Sequence, residues 1–118
     1  MRFPEEFRQR TKRYASAIVR FYAGAPKSRE VEALAHQLLR SGTSVAAHVR
    51  EASRARSTAE FSSKVNGALQ EADESQLWLE LLNEDCGIRG PEIEALLQET
   101  SELLAIFVTI ANKTRRSD

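Results

Sequence analysis

Cysteine is nearly missing from this chain of 118 residues: Cys86 is the only one. A single thiol rules out an intrachain disulfide and any cysteine-cluster metal site, and it points to a reducing cytoplasm. Three prolines and five glycines leave little material for turns, so the chain reads as few long elements rather than many short ones. Apolar runs extend over only a few residues, too short to span a membrane. The stretch "MRFPEEFRQRTKRYASAIVRFY" lacks an apolar segment ahead of a small-residue cleavage site, so it does not read as a secretory signal. It is basic and amphipathic, but Glu5 and Glu6 argue against a transit peptide. Net charge is missing too, with 17 Lys/Arg against 17 Asp/Glu. The length fits a single domain, residues 1–118, with room for a proper core.

What is present is unevenly spread. Residues 1–29 hold eight Lys/Arg against Glu5 and Glu6, a net of +6. Residues 57–103 hold eleven Asp/Glu against Lys64 and Arg89, a net of −9. Such a split fits either a nucleic-acid face or two surfaces that complement each other within an assembly.

Apolar spacing predicts four helices. The first covers about residues 4–22, with Pro4 in its first turn and a stripe of Phe3, Phe7, Tyr14, Ile18 and Phe21. "AGAPKS" ends it. The second covers about 29–55, capped by Ser28, with the stripe Val31, Leu34, Leu38, Val45, Val49 and Ala52. The third covers about 58–86 after the capping-box pattern "STAE", in which Glu60 follows Ser57 by three. Its stripe is Phe61, Val65, Leu69, Ala72, Leu79, Leu82 and Cys86, and Gly87 suits the position after its end. The fourth covers about 91–114. Pro91 opens it, Glu92 and Glu94 favour its first turn, and Lys113, Arg115 and Arg116 favour its last. Ile93, Leu96, Leu97, Leu104, Phe107, Val108 and Ala111 form its stripe. No strand-like alternation occurs. Four long helices with short connections imply an all-α, antiparallel up-down-up-down four-helix bundle. Gly42 in the second helix and Gly67 in the third cost about 1 kcal/mol each relative to Ala, so both are read as points of close packing.

Chemistry is harder to find. A carboxylate di-metal site in a bundle needs Glu-x-x-His on two helices. The chain has only His36 and His48, and neither has Glu three residues before it. No G-x-S-x-G occurs, and no phosphate-binding glycine loop. Cys86 sits beside Glu84 and Asp85 near a helix C-terminus, a setting that opposes a thiolate, so it reads as a small core residue. The expectation is a protein that is not an enzyme, with no cofactor, no metal and no small-molecule substrate.

Two surface features remain. On the first helix Arg2, Arg13 and Arg20 cluster opposite the aromatic stripe, flanked by Arg10 and Lys12. A basic ridge of this kind can follow phosphates, and it can equally be a solvated outer face. On the third helix, "ALQEADESQLWLELL" begins with one apolar stripe and ends apolar nearly all round. Leu77, Trp78 and Leu81 form a second greasy face for which a lone bundle has no use. Tryptophan is also a favoured interface anchor. Glu84 and Asp85 oppose the dipole at the end of that helix and would be eased by a basic neighbour, with the first helix as the obvious reservoir.

"RSGTSVAAHVREASRARSTAEFSSKVNGALQEADESQLWLELLNEDCG" resembles the four-helix-bundle proteins of the S23 ribosomal protein, or 23S rRNA intervening-sequence protein, family. The pieces that carry the likeness are Arg40-Ser41 followed by Ser44-Val45, the Glu51-Ala52 pair, and Phe61 leading into "ALQEADESQLWLELL". The closing "ELLAIFVTIANKTRR" is similar to the family's last helix. The resemblance implies a small bacterial all-helical protein, encoded within insertions in 23S rRNA genes or as a free-standing gene. It also implies assembly as rings of five. A related protein serves as accessory subunit of reverse transcriptases in diversity-generating retroelements, with a basic surface thought to engage nucleic acid. No enzymatic activity is established for the family. His48 stands where the family usually has Asn, and it reads as a polar residue in helix packing that could make a contact pH-dependent.

The expected partners are therefore further copies of the chain, five in all by resemblance, and RNA or DNA held by Arg8, Arg10, Lys12, Arg13, Arg20 and Arg40. No membrane contact is expected. Leu77, Trp78, Leu81, Glu84 and Asp85 are the interface candidates. The competing reading is an interaction adaptor or accessory subunit that binds another protein, such as a polymerase or reverse transcriptase.

Overall fold

Four helices are bounded by the residues that the punctuation singles out. They are α1 (Glu5–Gly24), α2 (Arg29–Ser53), α3 (Thr58–Glu84) and α4 (Pro91–Ser117). The structure is a computed structural model that describes residues 2–117, with side chains through residue 115. The side chain of Arg116, expected at the end of α4, lies outside the described residues, as do Met1 and Asp118.

Ser28 and Ser57 cap as expected. The Ser57 hydroxyl accepts from the Glu60 amide at 3.0 Å, and the Ser28 hydroxyl accepts from the Val31 amide at 3.4 Å. Glu60 turns its own carboxylate to Arg56, 3.8 Å away. Pro4 sits one residue earlier than expected. It is the cap of α1, in extended backbone, and its carbonyl accepts from Phe7 and Arg8. Pro91 does open α4. Two helices stop sooner than the apolar spacing suggests. In α2 the amides of Arg54 and Ala55 fold back onto Glu51 and Ala52, ending the helix at Ser53. In α3 the amides of Asp85 and Cys86 both take the Leu81 carbonyl. Gly87 then turns the chain at φ 71°, the left-handed region in which glycine carries no Cβ penalty.

The helices pack in the order α1-α2-α3-α4 around one core, with neighbours antiparallel. The bundle measures 46 × 22 × 21 Å. The α2–α3 seam is the most intimate, and α1 touches α4 most sparsely. Both helical glycines mark close approaches. A Cβ built on Gly42 would stand 2.2 Å from Cδ1 of the fully buried Ile18, and one on Gly67 would stand 2.8 Å from the His48 ring. His48 is thus a packing residue on the α2–α3 seam, with Nδ1 3.4 Å from Glu51 but outside hydrogen-bond geometry.

The α4 stripe needs correction. Leu103 is fully buried, Leu104 only partly, and Val108 is 44% exposed. The buried positions are Ile93, Leu96, Thr100, Leu103, Phe107 and Thr114, steps of three, four and seven that pass through two threonines. Reading apolar residues alone skips Thr100 and drifts onto the wrong face. Thr100 is buried because it has partners: its hydroxyl donates to the Leu96 carbonyl at 2.6 Å, which leaves the Tyr14 hydroxyl to donate to Thr100 at 2.6 Å. The Ser41 and Ser75 hydroxyl oxygens lie 2.7 Å apart beside them. Each helix contributes one hydroxyl to this buried group, and each of the four has a partner within it. Burial pushes the Tyr14 phenol up to about 12, with the Thr100 and Ser75 hydroxyls opposing the rise.

Candidate nucleic-acid interface and docking groove

The six cations expected to meet nucleic acid do not share one surface. Arg10 reaches across to α4, where Nε and Nη2 grip both oxygens of Glu99 at 2.8 and 2.7 Å, and Nη2 also meets Glu102 at 2.8 Å. Hydrogen bonding to Glu99 raises the Arg10 pKa further. Glu102 is held below the usual carboxylate range by the Gln98 amide and by Arg10. Arg40 is occupied in the same way by Glu74 at 2.8 Å and Glu71 at 3.4 Å on α3, with Glu74 the main cause of its raised pKa. Arg8 pairs with Glu5 within α1. Arg13, Lys12 and Arg20 are exposed and make no ion pair among the described residues. Lys12 points outward, whereas Arg13 and Arg20 face α4.

The fold gathers a different set of cations at one end. Antiparallel packing brings the start of α1, the end of α2, the start of α3 and the end of α4 together. Arg2, Arg8, Arg50, Arg54, Arg56, Lys113 and Arg115 meet there, against Glu5, Glu6, Glu51 and Glu60. Arg8, Arg50 and Arg54 line one cleft of about 250 Å³ with Glu5 and Gln9. Glu5 offsets one of the three charges: its carboxylate is engaged by the Gln9 amide and by Arg8, with Arg50 close enough to add to the lowering of its pKa. These residues are 113 positions apart at the extremes, Arg2 and Arg115, so only the folded order of the helices reveals them as a cluster. The one local signal was "REASRAR" at the end of α2.

The opposite end is acidic. Glu30, Glu32, Glu80, Glu84, Asp85, Glu92 and Glu94 are exposed there, against Arg20, Lys27, Arg29 and Arg89. The interface candidates divide along helical phase. Leu79 and Leu82 enter the core, while Leu77 is 47% exposed. Trp78 is partly buried against the core on the α2 flank, and its indole N–H has no partner. Leu81 is partly buried, and Glu84 and Asp85 are exposed. Within one chain, α1 sends its cations to α4 rather than to Glu84 and Asp85.

Where α1 and α4 part, a groove of about 390 Å³ opens, lined by Arg10, Arg13, Tyr14, Ala17, Arg20, Glu92, Ala95, Leu96 and Glu99. Its floor is apolar, and small at Ala17 and Ala95. Among the described residues no group of three His, Cys, Asp or Glu is placed to hold a metal ion, and no helix is long and apolar enough to cross a membrane.

The family model for the 23S rRNA-intervening sequence protein matches residues 5–109. A crystal structure at 1.70 Å resolution of a protein of unknown function from the S23 ribosomal protein family of Bacteroides thetaiotaomicron VPI-5482 is similar throughout. It is 34% identical, with a TM-score of 0.80, and the match covers 88% of this chain and 96% of that one. No curated protein matches.

Proposed function

This chain belongs to the 23S rRNA-intervening sequence protein family and is similar to a solved S23-family protein of unknown function, and from its charge layout we propose a non-enzymatic, self-associating cytoplasmic scaffold that holds RNA or DNA by the phosphate backbone. The observation that carries this reading is the basic end, where Arg8, Arg50 and Arg54 line one cleft. Guanidinium groups held in a cleft suit phosphate oxygens geometrically as well as electrostatically. Contact made through phosphate oxygens carries no base readout and is sequence-tolerant. The number of copies, five, comes from the resemblance alone.

Fluorescence anisotropy with a labelled RNA across a salt series tests this. Binding that weakens by orders of magnitude between about 50 and 200 mM salt is expected for six or more phosphate contacts. Arg50→Gln with Arg54→Gln flattens that salt dependence, by roughly one unit of log–log slope for each phosphate no longer neutralised. An affinity indifferent to salt sinks the proposal.

A second reading, an adaptor for a protein partner such as a nucleic-acid enzyme, is favoured by the exposed apolar side chains Val19, Leu77 and Val108. Partners retained after nuclease treatment support it.

A further inference from the structure

We propose that the cleft between the start of α1 and the end of α2 takes the terminal phosphate monoester of a nucleic-acid strand. The inference rests on the nucleic-acid reading above and deepens it: the surrounding cations follow the backbone, and the cleft holds its end.

The first observation is the lining. Glu5, Arg8 and Gln9 come from α1, Arg50 from the last turn of α2 and Arg54 from its cap. Among the described residues no apolar side chain lines the cleft, so a base finds no surface to stack on. At about 250 Å³ the cleft is smaller than the pockets of about 300–1,000 Å³ that enclose drug-sized ligands. Its size and its lining suit one anionic group rather than a whole nucleotide.

The second is charge. Three guanidinium groups against one carboxylate leave the lining with a net charge of +2. Other carboxylates at this end are directed elsewhere. Glu51 pairs with Lys64 at 3.2 Å, Glu60 lies 3.8 Å from Arg56, and Glu6 lines a separate hollow with Arg10 and Arg13. The N-terminal end of α1 and the C-terminal end of α2 meet here with opposed dipoles, so the side chains set the field. A phosphodiester brings one negative charge and two free oxygens. A terminal monoester brings close to two charges near pH 7 and three free oxygens. The monoester balances the lining, with one oxygen for each arginine.

The third is unmet donors. Arg8 Nε is shut off from water and has no hydrogen-bond partner, although Nη2 of the same side chain holds Glu5. A buried donor without an acceptor is costly and uncommon. Arg50 and Arg54 are exposed and make no ion pair among the described residues. An incoming phosphate supplies the acceptors that Glu5, already held by Arg8 and Gln9, does not.

The test compares one single-stranded RNA sequence in four forms by fluorescence anisotropy. They carry a 5′-phosphate, a 3′-phosphate, hydroxyls at both ends, or hydroxyls on a strand one nucleotide longer. A terminal phosphate is expected to tighten binding about tenfold over the hydroxyl form, the worth of one charge-assisted hydrogen bond. The longer strand, which gains a phosphodiester instead, is expected to bind as the shorter one does. A preference at one terminus alone identifies that terminus as the source of the monoester. Arg50→Gln/Arg54→Gln is expected to bind phosphorylated and hydroxyl forms alike. Arg54→Gln alone, at the cap outside the helix, repeats that arm should the double change lower helicity. Equal affinity for all four forms, with salt dependence intact, overturns end recognition while leaving backbone binding standing. A preference that survives the arginine changes overturns the cleft as its site. No binding in any form overturns both readings.

Discussion

Gly42 is where one hydrogen atom decides the distance between two helices. Alanine there would gain about 1 kcal/mol of helix propensity. It would also drive a methyl into Ile18 Cδ1, which is fully enclosed and has no free space to enter. Overpacking of this kind costs ~1–3 kcal/mol, so Gly42→Ala is expected to lower stability in a urea titration. Ile18→Val removes the offending atom. The double variant Gly42→Ala/Ile18→Val should then lose less than the sum of the two single changes, and strict additivity would show that the crowding is not at Cδ1. Gly67→Ala is expected to be milder, because the His48 ring it meets is partly exposed and can swing outward. Tyr14 gives a pH prediction. Its folded-state pKa of about 12 lies above the ordinary 10.0, so the folded state holds the proton more tightly. The associated stability is complete below pH 10 and is lost as pH rises from about 10 to 12. Tyr14→Phe should abolish that alkaline slope in thermal melts, at a cost near ~1 kcal/mol at neutral pH. The glycine contacts could be inferred from sequence, since a helix keeps a glycine only for a reason. The hydroxyl group of Tyr14, Thr100, Ser41 and Ser75 could not, because a polar residue is buried only when its partner is, and the partners come from other helices.

Helix boundaries were readable wherever a side chain sets them and unreadable where the backbone does. Ser28, Ser57, Pro91 and Gly87 all act at the positions their chemistry suggests. The early ends of α2 and α3 depend on which carbonyls the last amides choose, which leaves no mark in the apolar pattern. The caps should differ in strength. Ser57→Ala is expected to cost about 1 kcal/mol and Ser28→Ala less, in keeping with amide distances of 3.0 and 3.4 Å. Equal costs in denaturant melts would mean that the longer bond is the better one in solution. The stripe of α4 shows the limit of periodicity from the other side. Leu103 and Leu104 are adjacent and equally apolar, and the choice between them is made by Thr100 pairing with Tyr14 on α1.

Taken as a unit, the bundle has a basic end and an acidic end, and a sparse seam between α1 and α4 that its other seams do not share. The sequence shows charge segregated along the chain, but antiparallel folding re-sorts it along the long axis. Arg10 and Arg40, both candidates for nucleic-acid contact, make ion pairs that bridge helices. Arg10→Ala should therefore raise hydrogen exchange at the α1–α4 seam while changing RNA affinity less than Arg50→Ala does. The reverse order would return Arg10 to the binding surface.

The succession of residues decided the number of helices, their caps and most of the inward faces. These depend on interactions reaching no more than four or five positions, which a linear reading captures. Tertiary structure decided which arginines are spent on ion pairs and which hydroxyls enter the core. Those outcomes join residues up to 92 positions apart, as in Arg10 with Glu102, and no local pattern can encode a meeting that only packing brings about.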